Sequence, residues 1–96
     1  MYKVLFPNTA RQHDFEKVIT KVPKDIQDKI MAQIELLASE PRPSGNPKIS
    51  PPIPVGQFIA QYRIRIGNYR VLYDIDDTRQ KVWIIALRIR SEKTYK

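Results

Sequence analysis

The segment that decides the fold reads YRIRIGNYRVLY and runs from Tyr62 to Tyr73. Apolar and polar residues alternate on both sides of Gly67-Asn68, which is the pattern of two strands joined by a tight β-turn. Across a hairpin with this loop, the predicted facing pairs are Ile66 with Tyr69, Ile64 with Val71, Tyr62 with Tyr73 and Ala60 with Ile75. That face is apolar throughout, so we predict that it is buried.

The opposite face of the hairpin is basic. It sets Arg65 directly across from Arg70, with Arg63 further along the first strand. Like charges at opposed strand positions destabilise a sheet, so a chain that only needed to fold would gain by replacing one of them. A solvated surface would also tolerate them, because long side chains can splay apart at small cost. The pattern therefore fits either an ordinary basic surface or a site for a strongly anionic ligand.

A third strand favours the second interpretation. If the turn after Ile75 takes about five residues, Ile75 faces Lys81 and Val71 faces Ile85. In this register the core receives Trp83, Ile85 and Leu87, and the basic face receives Ala86, Arg88 and Arg90. One surface, here called the arginine face, would then carry Arg63, Arg65, Arg70, Arg88 and Arg90.

The N-terminal half predicts a strand and two helices. A short strand at 2–6 ends at Pro7, and Asn8 or Thr9 can cap a helix that runs to about Thr20. Pro23 suits the first turn of a second helix, which stops before Pro41. The apolar residues of the two helices fall on single stripes: Phe15, Val18 and Ile19 in the first, and Ile26, Ile30, Ile34, Leu37 and Ala38 in the second.

Prolines dominate the connection between the helices and the hairpin. Segments 41–47 and 51–54 are predicted to lack regular structure, because proline removes a backbone donor and fixes φ. Strands follow at about 57–66, 69–75 and 81–87. The result is an α+β fold in one domain, residues 1–96, with the N-terminal strand and helical hairpin packed on one face of a small antiparallel sheet. The arginine face is expected to stay open.

Charge and composition restrict the function. The chain has 96 residues, a formal net charge of +7 and a sequence pI of about 9.9, which points to an anionic partner such as nucleic acid. Cysteine is absent, so no disulfide framework is available. The apolar N-terminal run is too short for a signal peptide, and no run reaches the roughly 20 residues of a membrane span. A cytoplasmic protein is expected.

Most catalytic chemistries find no support among the residues. His13 is the chain's single histidine and lies on the first predicted helix, where a surface position is expected. Asp76-Asp77 falls in a turn, where aspartate is common. Because no His, Cys or carboxylate cluster has ligand spacing, we expect neither a metal nor a cofactor. Substrate-assisted cleavage of RNA by its own 2′-OH remains possible, with guanidinium groups binding phosphate oxygens.

The arrangement of strand, two helices, "YRIRIGNYRVLYDIDD" at 62–77 and "ALRIRSEKTY" at 86–95 resembles the RelE/ParE superfamily of bacterial and archaeal toxins. The resemblance includes "LLASEPRP" at 36–43 and is closer to the RelE branch. That branch implies an endoribonuclease that cleaves mRNA, in most members at the ribosomal A site. It also implies a type II toxin–antitoxin system, in which a cognate antitoxin forms a hetero-oligomeric complex with the toxin.

The resemblance also implies a site. Arg63 and Arg65 match two basic positions on the first hairpin strand, where the best-known member has lysines, and Arg70 matches the arginine on the second strand. Arg90 matches an arginine after the last strand, although its spacing from the final tyrosine, Tyr95, differs by one residue from that member's. The implied catalytic residues are Arg65, Arg70, Arg90 and Tyr95, and the implied RNA-binding residues are Arg63, Arg65, Arg88 and Lys93.

Their division of labour follows from their acidities. Arginine effectively never loses its proton, so Arg65 can bind charge but is a poor general base. Neighbouring positive charge would lower the pKa of Tyr95 from about 10 and favour it as the base. Arg90 would face the leaving 5′-oxygen. Two other functions stay open at this point: a ParE-like inhibitor of DNA gyrase, and a nucleic-acid-binding domain without catalysis.

Overall fold

The structure, a computed structural model, describes residues 1–43 and 48–89. A four-stranded sheet has the order β1-β6-β5-β4, and β2 and β3 form a separate two-stranded hairpin. The α+β class is confirmed, and no helix among the described residues is long and apolar enough to cross a membrane. The elements are β1 (Lys3–Leu5), α1 (Thr9–Ile19), α2 (Lys24–Leu36), β2 (Ile53–Val55), β3 (Phe58–Ala60), β4 (Tyr62–Ile66), β5 (Tyr69–Asp76) and β6 (Lys81–Ile89).

The helices begin and pack as their sequence patterns predict. Asn8 is the N-cap of α1, and its side chain accepts a hydrogen bond of 2.9 Å from the backbone N–H of Arg11. Pro23 precedes α2, which ends at Leu36. Both helices lie on the apolar side of the hairpin. The main core contains Phe15, Val22, Ile30, Ile34, Leu37, Tyr62, Ile64, Val71, Tyr73, Val82, Ile84 and Leu87.

The register of the β4–β5 hairpin is confirmed. Its Cα partners include Ile66 with Tyr69, Ile64 with Val71 and Tyr62 with Tyr73, as the two-residue loop requires. Gly67 has a φ of 58°, a backbone conformation that glycine adopts without a Cβ penalty. Strand β1 adds to the far edge in parallel with β6, so the complete sheet is mixed.

The predicted strand 57–66 is wrong in its first half. It breaks at Gln61 into β3 and β4, and Ala60 pairs with Ile53 in the small hairpin rather than with Ile75. The segment around Pro54, predicted to be irregular, therefore contains β2. Proline is tolerated here because β2 has only one neighbouring strand and needs few backbone donors.

The predicted register of β6 is also wrong. Neither the pair of Ile75 with Lys81 nor that of Val71 with Ile85 forms, because the turn is one residue shorter and a β-bulge adds one residue to β6. The observed partners along β5 and β6 are Asp76 with Lys81, Ile75 with Val82, Tyr73 with Ile84, Leu72 with Ala86 and Val71 with Leu87.

The bulge redistributes the side chains of β6. Leu87 joins the main core as predicted, but Trp83 and Ile85 lie on the arginine face. Ala86 and Arg88 lie on that face as expected, because the bulge offsets the error in the turn. Compared with a regular strand, one inserted residue places every later side chain on the opposite side of the sheet.

The arginine face is not fully open, contrary to the prediction. The β2–β3 hairpin covers the part of this face around Leu72 and buries a second apolar cluster there. This cluster contains Val55, Ala60, Leu72, Ile85 and Ala86, with Ile49, Ile53 and Phe58 packed around it. The face therefore stays accessible at the end of the sheet near Gly67 and, on the other side of this cluster, around Asp74 and Trp83.

Candidate anion-binding site

A row of arginines crosses the sheet at its exposed end. Arg65 on β4 is the Cα partner of Arg70 on β5, and Arg70 is in turn the partner of Arg88 on β6. Directly opposed residues of antiparallel strands have Cα atoms about 4.5–5.5 Å apart. The strands thus place three arginines side by side across the sheet from three separate strands of the sequence. We call these residues the arginine row.

The central arginine of the row has the least access to solvent. Arg65 and Arg88 are exposed, whereas Arg70 is half-buried between them. Its Nε is fully buried and has no hydrogen-bond partner among the residues that the structure describes. An unsatisfied buried donor costs free energy, and more when it belongs to a charged group. An anion bound along the row would offset the repulsion among its three positive charges.

Arg63 lies at the border between the row and the apolar cluster. It is half-buried and faces Leu72 across the strands, and Leu72 in turn faces Ala86. Arg63 also interacts with another part of the chain. The structure therefore places Arg63 next to the row, on the side toward the β2–β3 hairpin.

Three predicted site residues lie outside the described residues. Arg90 directly follows the last described residue of β6, and Lys93 and Tyr95 come after it. Their assigned roles stay predictions. His13 is exposed on α1. Within residues 1–43 and 48–89, no group of three or more His, Cys, Asp or Glu side chains could hold a metal ion.

A groove beside the row adds cations that sequence analysis did not assign. It lies between α1 and β6, has a volume of about 420 Å³ and includes Arg88. Its apolar floor belongs to the α1–β6 contact, and its rim is mainly basic. Lys17 lies in the last turn of α1 and Lys21 just after its end, and no local pattern in the sequence places them beside Arg88. The groove is lined by Arg11, Asp14, Lys17, Val18, Lys21, Ala86, Leu87, Arg88 and Ile89.

The opposite end of the sheet is fixed by an ion-pair network. Arg42 donates to both carboxylate oxygens of Asp77, at 3.1 and 2.7 Å, and its guanidinium lies 5.4 Å from the ring centre of Tyr62. Tyr2 donates to Asp77 at 2.6 Å. The hydrogen bonds from Arg42, and then Tyr2, lower the pKa of Asp77 to about 2. This network ties the loop after α2 to the β5–β6 turn, a contact that no local pattern predicts.

The chain is similar to known toxins over most of its length. The chain matches the family described as "ParE toxin of type II toxin-antitoxin system, parDE" over residues 4–94. No curated protein matches it. The chain belongs to the ParE/RelE toxin superfamily of type II toxin–antitoxin systems.

Solved structures of RelE toxins share its architecture. The archaeal RelE–RelB complex from Pyrococcus horikoshii OT3 is similar with a TM-score of 0.70 and 23% identity, covering 95% of this chain and 97% of that one. The RelBE2 complex from Mycobacterium tuberculosis gives 0.62 and 25%, covering 95% and 93%. The isolated RelE toxin of E. coli gives 0.64 and 18%, covering 99% and 93%. These similarities show that this chain has a RelE-like fold.

Proposed function

We propose that this toxin is a metal-independent endoribonuclease that cleaves mRNA at the ribosomal A site. The observation that carries the proposal is the arginine row. In this row, adjacent strands bring Arg65, Arg70 and Arg88 together, and the buried Nε of Arg70 has no partner within residues 1–43 and 48–89. Guanidinium groups match phosphate oxygens with paired, charge-assisted hydrogen bonds. Such a row suits an RNA phosphate better than a single carboxylate, because it offers donors on several sides.

The reaction uses the RNA's own 2′-OH as the nucleophile. Arg65 and Arg70 bind the phosphate and stabilise the charge that develops on it, which is often the largest catalytic contribution. Tyr95 removes the 2′-proton as phenolate, and Arg90 stabilises the leaving 5′-oxygen, which takes up a proton from water. Arg63, Arg88 and Lys93 bind neighbouring parts of the RNA. The products carry a 2′,3′-cyclic phosphate or a 3′-phosphate and a free 5′-OH.

An assay with purified ribosomes, mRNA and toxin tests this proposal. Arg70→Ala should lower the cleavage rate by about 10²–10³, as expected for loss of one transition-state donor. Arg79→Ala is the matched control, since it removes the same charge from an exposed turn off the arginine row. Equal cleavage by both variants, or a 5′-phosphate on the product, would contradict the proposal.

The general base is tested separately. Tyr95→Phe removes only the phenolic oxygen, so RNA affinity should persist while the cleavage rate falls by about 10²–10⁴. Cleavage should also continue in chelator on a substrate that does not itself need magnesium. Unchanged cleavage by Tyr95→Phe would refute the role of Tyr95 and leave that of the arginines intact.

Inhibition of DNA gyrase is the second candidate function. It is favoured by the matching family, whose description names the ParE toxin. The same purified protein should be added to a supercoiling assay. Loss of supercoiling without mRNA cleavage supports the gyrase inhibitor. If the protein neither cleaves mRNA nor blocks supercoiling, the result supports a binding domain without catalysis.

We also propose that a cognate antitoxin controls the protein. RelE toxins of similar fold have been crystallised in complexes with RelB. The partner should present an acidic segment to the arginine row or displace the segment that carries Tyr95, since opposite charge promotes encounter. A complex that leaves both undisturbed would contradict this mode of control. A small open reading frame beside the gene would support the pairing.

A further inference from the structure

A second cavity lies on the arginine face, away from the arginine row. Its volume is about 270 Å³, just below the roughly 300 Å³ at which pockets for drug-sized ligands begin. It is therefore suited to one small group. We call it the Asp74 pocket, and it is lined by Pro7, Phe58, Ile59, Asp74, Trp83 and Ile85.

The pocket and the row can contact one extended ligand. Arg70 and Asp74 lie on the same strand, β5, with an even spacing that puts both on the same face. Four residues of strand separate them by about 13 Å. Leu72 and the apolar cluster lie between them. A strand of RNA with a phosphate on the row would therefore cross the β2–β3 hairpin, which covers this cluster, to reach the pocket on the same side of the sheet.

The lining combines aromatic rings with one acceptor. Phe58 and Trp83 provide rings, and Asp74 is the titratable group that reaches the cavity. Hydrogen bonds from the described residues reach only its Oδ1, from the N–H of Ile75 at 2.9 Å and from Nε2 of Gln61 at 3.4 Å. Burial raises the pKa of Asp74. The carboxylate therefore gains from a ligand that donates a hydrogen bond.

Positive charge stands next to the pocket. The ammonium of Lys81 lies 5.4 Å from the ring centre of Trp83. This charge disfavours a lysine or arginine side chain as the occupant and favours a group that is attached to phosphate. A purely apolar side chain would fill the cavity but would give Oδ2 of Asp74 no donor beyond the two that the described residues supply to Oδ1. A nucleobase meets all of these conditions.

We propose that the Asp74 pocket binds one base of the RNA strand, stacked against Trp83 and Phe58, with a base N–H donating to Asp74. This inference rests on the proposed function. Guanine fits best, because its N1–H and 2-amino group are adjacent donors. Uracil presents one N–H between two carbonyl oxygens that repel a carboxylate. The pocket thereby selects one nucleotide of the bound strand, away from the phosphate that lies on the arginine row.

Fluorescence can test the pocket without any cleavage. Trp83 is the chain's single tryptophan, so a stacked base should quench it directly. Two pentanucleotides, all-uridine and with a central guanosine, are titrated with every 2′-OH methylated to prevent attack. The guanosine pentamer should quench Trp83 and bind at least about 5-fold more tightly.

Variants separate the contact from general electrostatics. Asp74→Asn should abolish the preference for guanosine, although removing a negative charge otherwise favours RNA. Asp28→Asn on α2 makes the same charge change at an exposed position and should keep the preference. Phe58→Leu keeps apolar volume but removes a ring, and should weaken binding by about 5- to 100-fold. Circular dichroism confirms that each variant is folded.

The outcomes distinguish the pocket from the proposed function. Equal binding of both pentamers, or a preference that survives in Asp74→Asn, overturns the pocket while the ribosome assay judges cleavage independently. Quenching by the cognate antitoxin and by neither pentamer also overturns it and identifies a protein occupant. Guanosine-dependent quenching in a protein that fails to cleave mRNA upholds the pocket and refutes only the nuclease.

Discussion

Arg70 combines two unfavourable features that a surface residue would normally avoid. It faces arginines on both neighbouring strands, and its Nε is buried without a partner among the described residues. Both features cost free energy in the unbound protein. Under the proposed function, a phosphate on the arginine row would offset the repulsion, which is how a binding site would differ from a solvated basic surface.

The stability of Arg70→Ala should reflect this balance. Relief of repulsion offsets the lost packing of the side-chain stem, so the free energy of unfolding should rise or stay within about 0.5 kcal/mol of the parent. Urea denaturation of the parent, Arg70→Ala and Arg79→Ala measures it. A loss of several kcal/mol in Arg70→Ala alone would show that the residue holds the fold together and is not strained for binding.

Asp77 gives the network with Arg42 a defined pH range. Its pKa is about 2 in the folded protein, below the roughly 3.9 of a free aspartate. A lowered folded pKa means that the stabilisation is complete above the unfolded value and is lost as pH falls through the folded one. The stability gap between the parent and Asp77→Asn should therefore shrink from pH 5 to pH 2, as thermal unfolding at both pH values can measure. A constant gap would contradict the ion pair.

At the scale of elements, the β5–β6 turn carries local strain. Gln80 has a φ of 54°, a left-handed conformation that costs a side-chain-bearing residue about 1–2 kcal/mol. Its backbone still donates to Asp77 and accepts from Lys3, so the strain is maintained by the turn and by β1. Both hydrogen bonds would survive a change of side chain.

Gln80→Gly should therefore stabilise the protein by about 0.5–1 kcal/mol, the relieved strain less the added unfolded-state entropy of glycine. The neighbouring Arg79→Gly is the control. It lies at an ordinary φ and should lose about 0.4–1 kcal/mol. In thermal unfolding, the two variants should change the stability relative to the parent in opposite directions if the turn is strained as described. They should change it in the same direction if it is not.

The elements also show how much of the fold could be predicted from sequence. Local signals were sufficient for α1, which Asn8 caps, and for the β4–β5 hairpin, whose register follows from Gly67-Asn68. The bulge in β6 was not predictable, because Ile84 and Ile85 are equally apolar and periodicity cannot tell which one is inserted. Strand β2 was missed because its pairing with β3 is a tertiary fact that overrides the proline signal.

The candidate site shows the same contrast between local features, which could be predicted, and long-range features, which could not. The pairing of Arg65 with Arg70 could be predicted from the Gly67-Asn68 turn alone, because the hairpin is a local structure. Arg88 was placed on the correct face only because the bulge compensated for a wrong turn length. The Asp74 pocket was missed altogether, because it needs Phe58 and Pro7 from segments far apart in the chain. Pockets formed by distant segments leave no periodic trace.

At the scale of the whole molecule, charge is distributed unevenly. The net charge of +7 divides into nine Lys/Arg against four Asp/Glu from residue 57 onward, and eight against six before it. The basic rim of the α1–β6 groove continues the arginine row at Arg88. The helices cover the opposite side of the sheet. RNA binding should therefore depend on where a charge lies as well as on the net charge.

Two variants with the same net charge can separate the effect of where a charge lies from the effect of the net charge. Arg65→Gln removes a charge from the arginine row, and Lys29→Gln removes one from the exposed surface of α2. Each phosphate that a cation neutralises releases counterions, so the slope of log K against log salt should fall by about 1 for Arg65→Gln. Lys29→Gln should leave the slope close to the parent's, since α2 packs against the other face. Affinity for the methylated pentanucleotides, measured between about 50 and 200 mM salt, gives both slopes. Equal losses would mean that net charge alone attracts the RNA, and the arginine row would then have no special role in holding it.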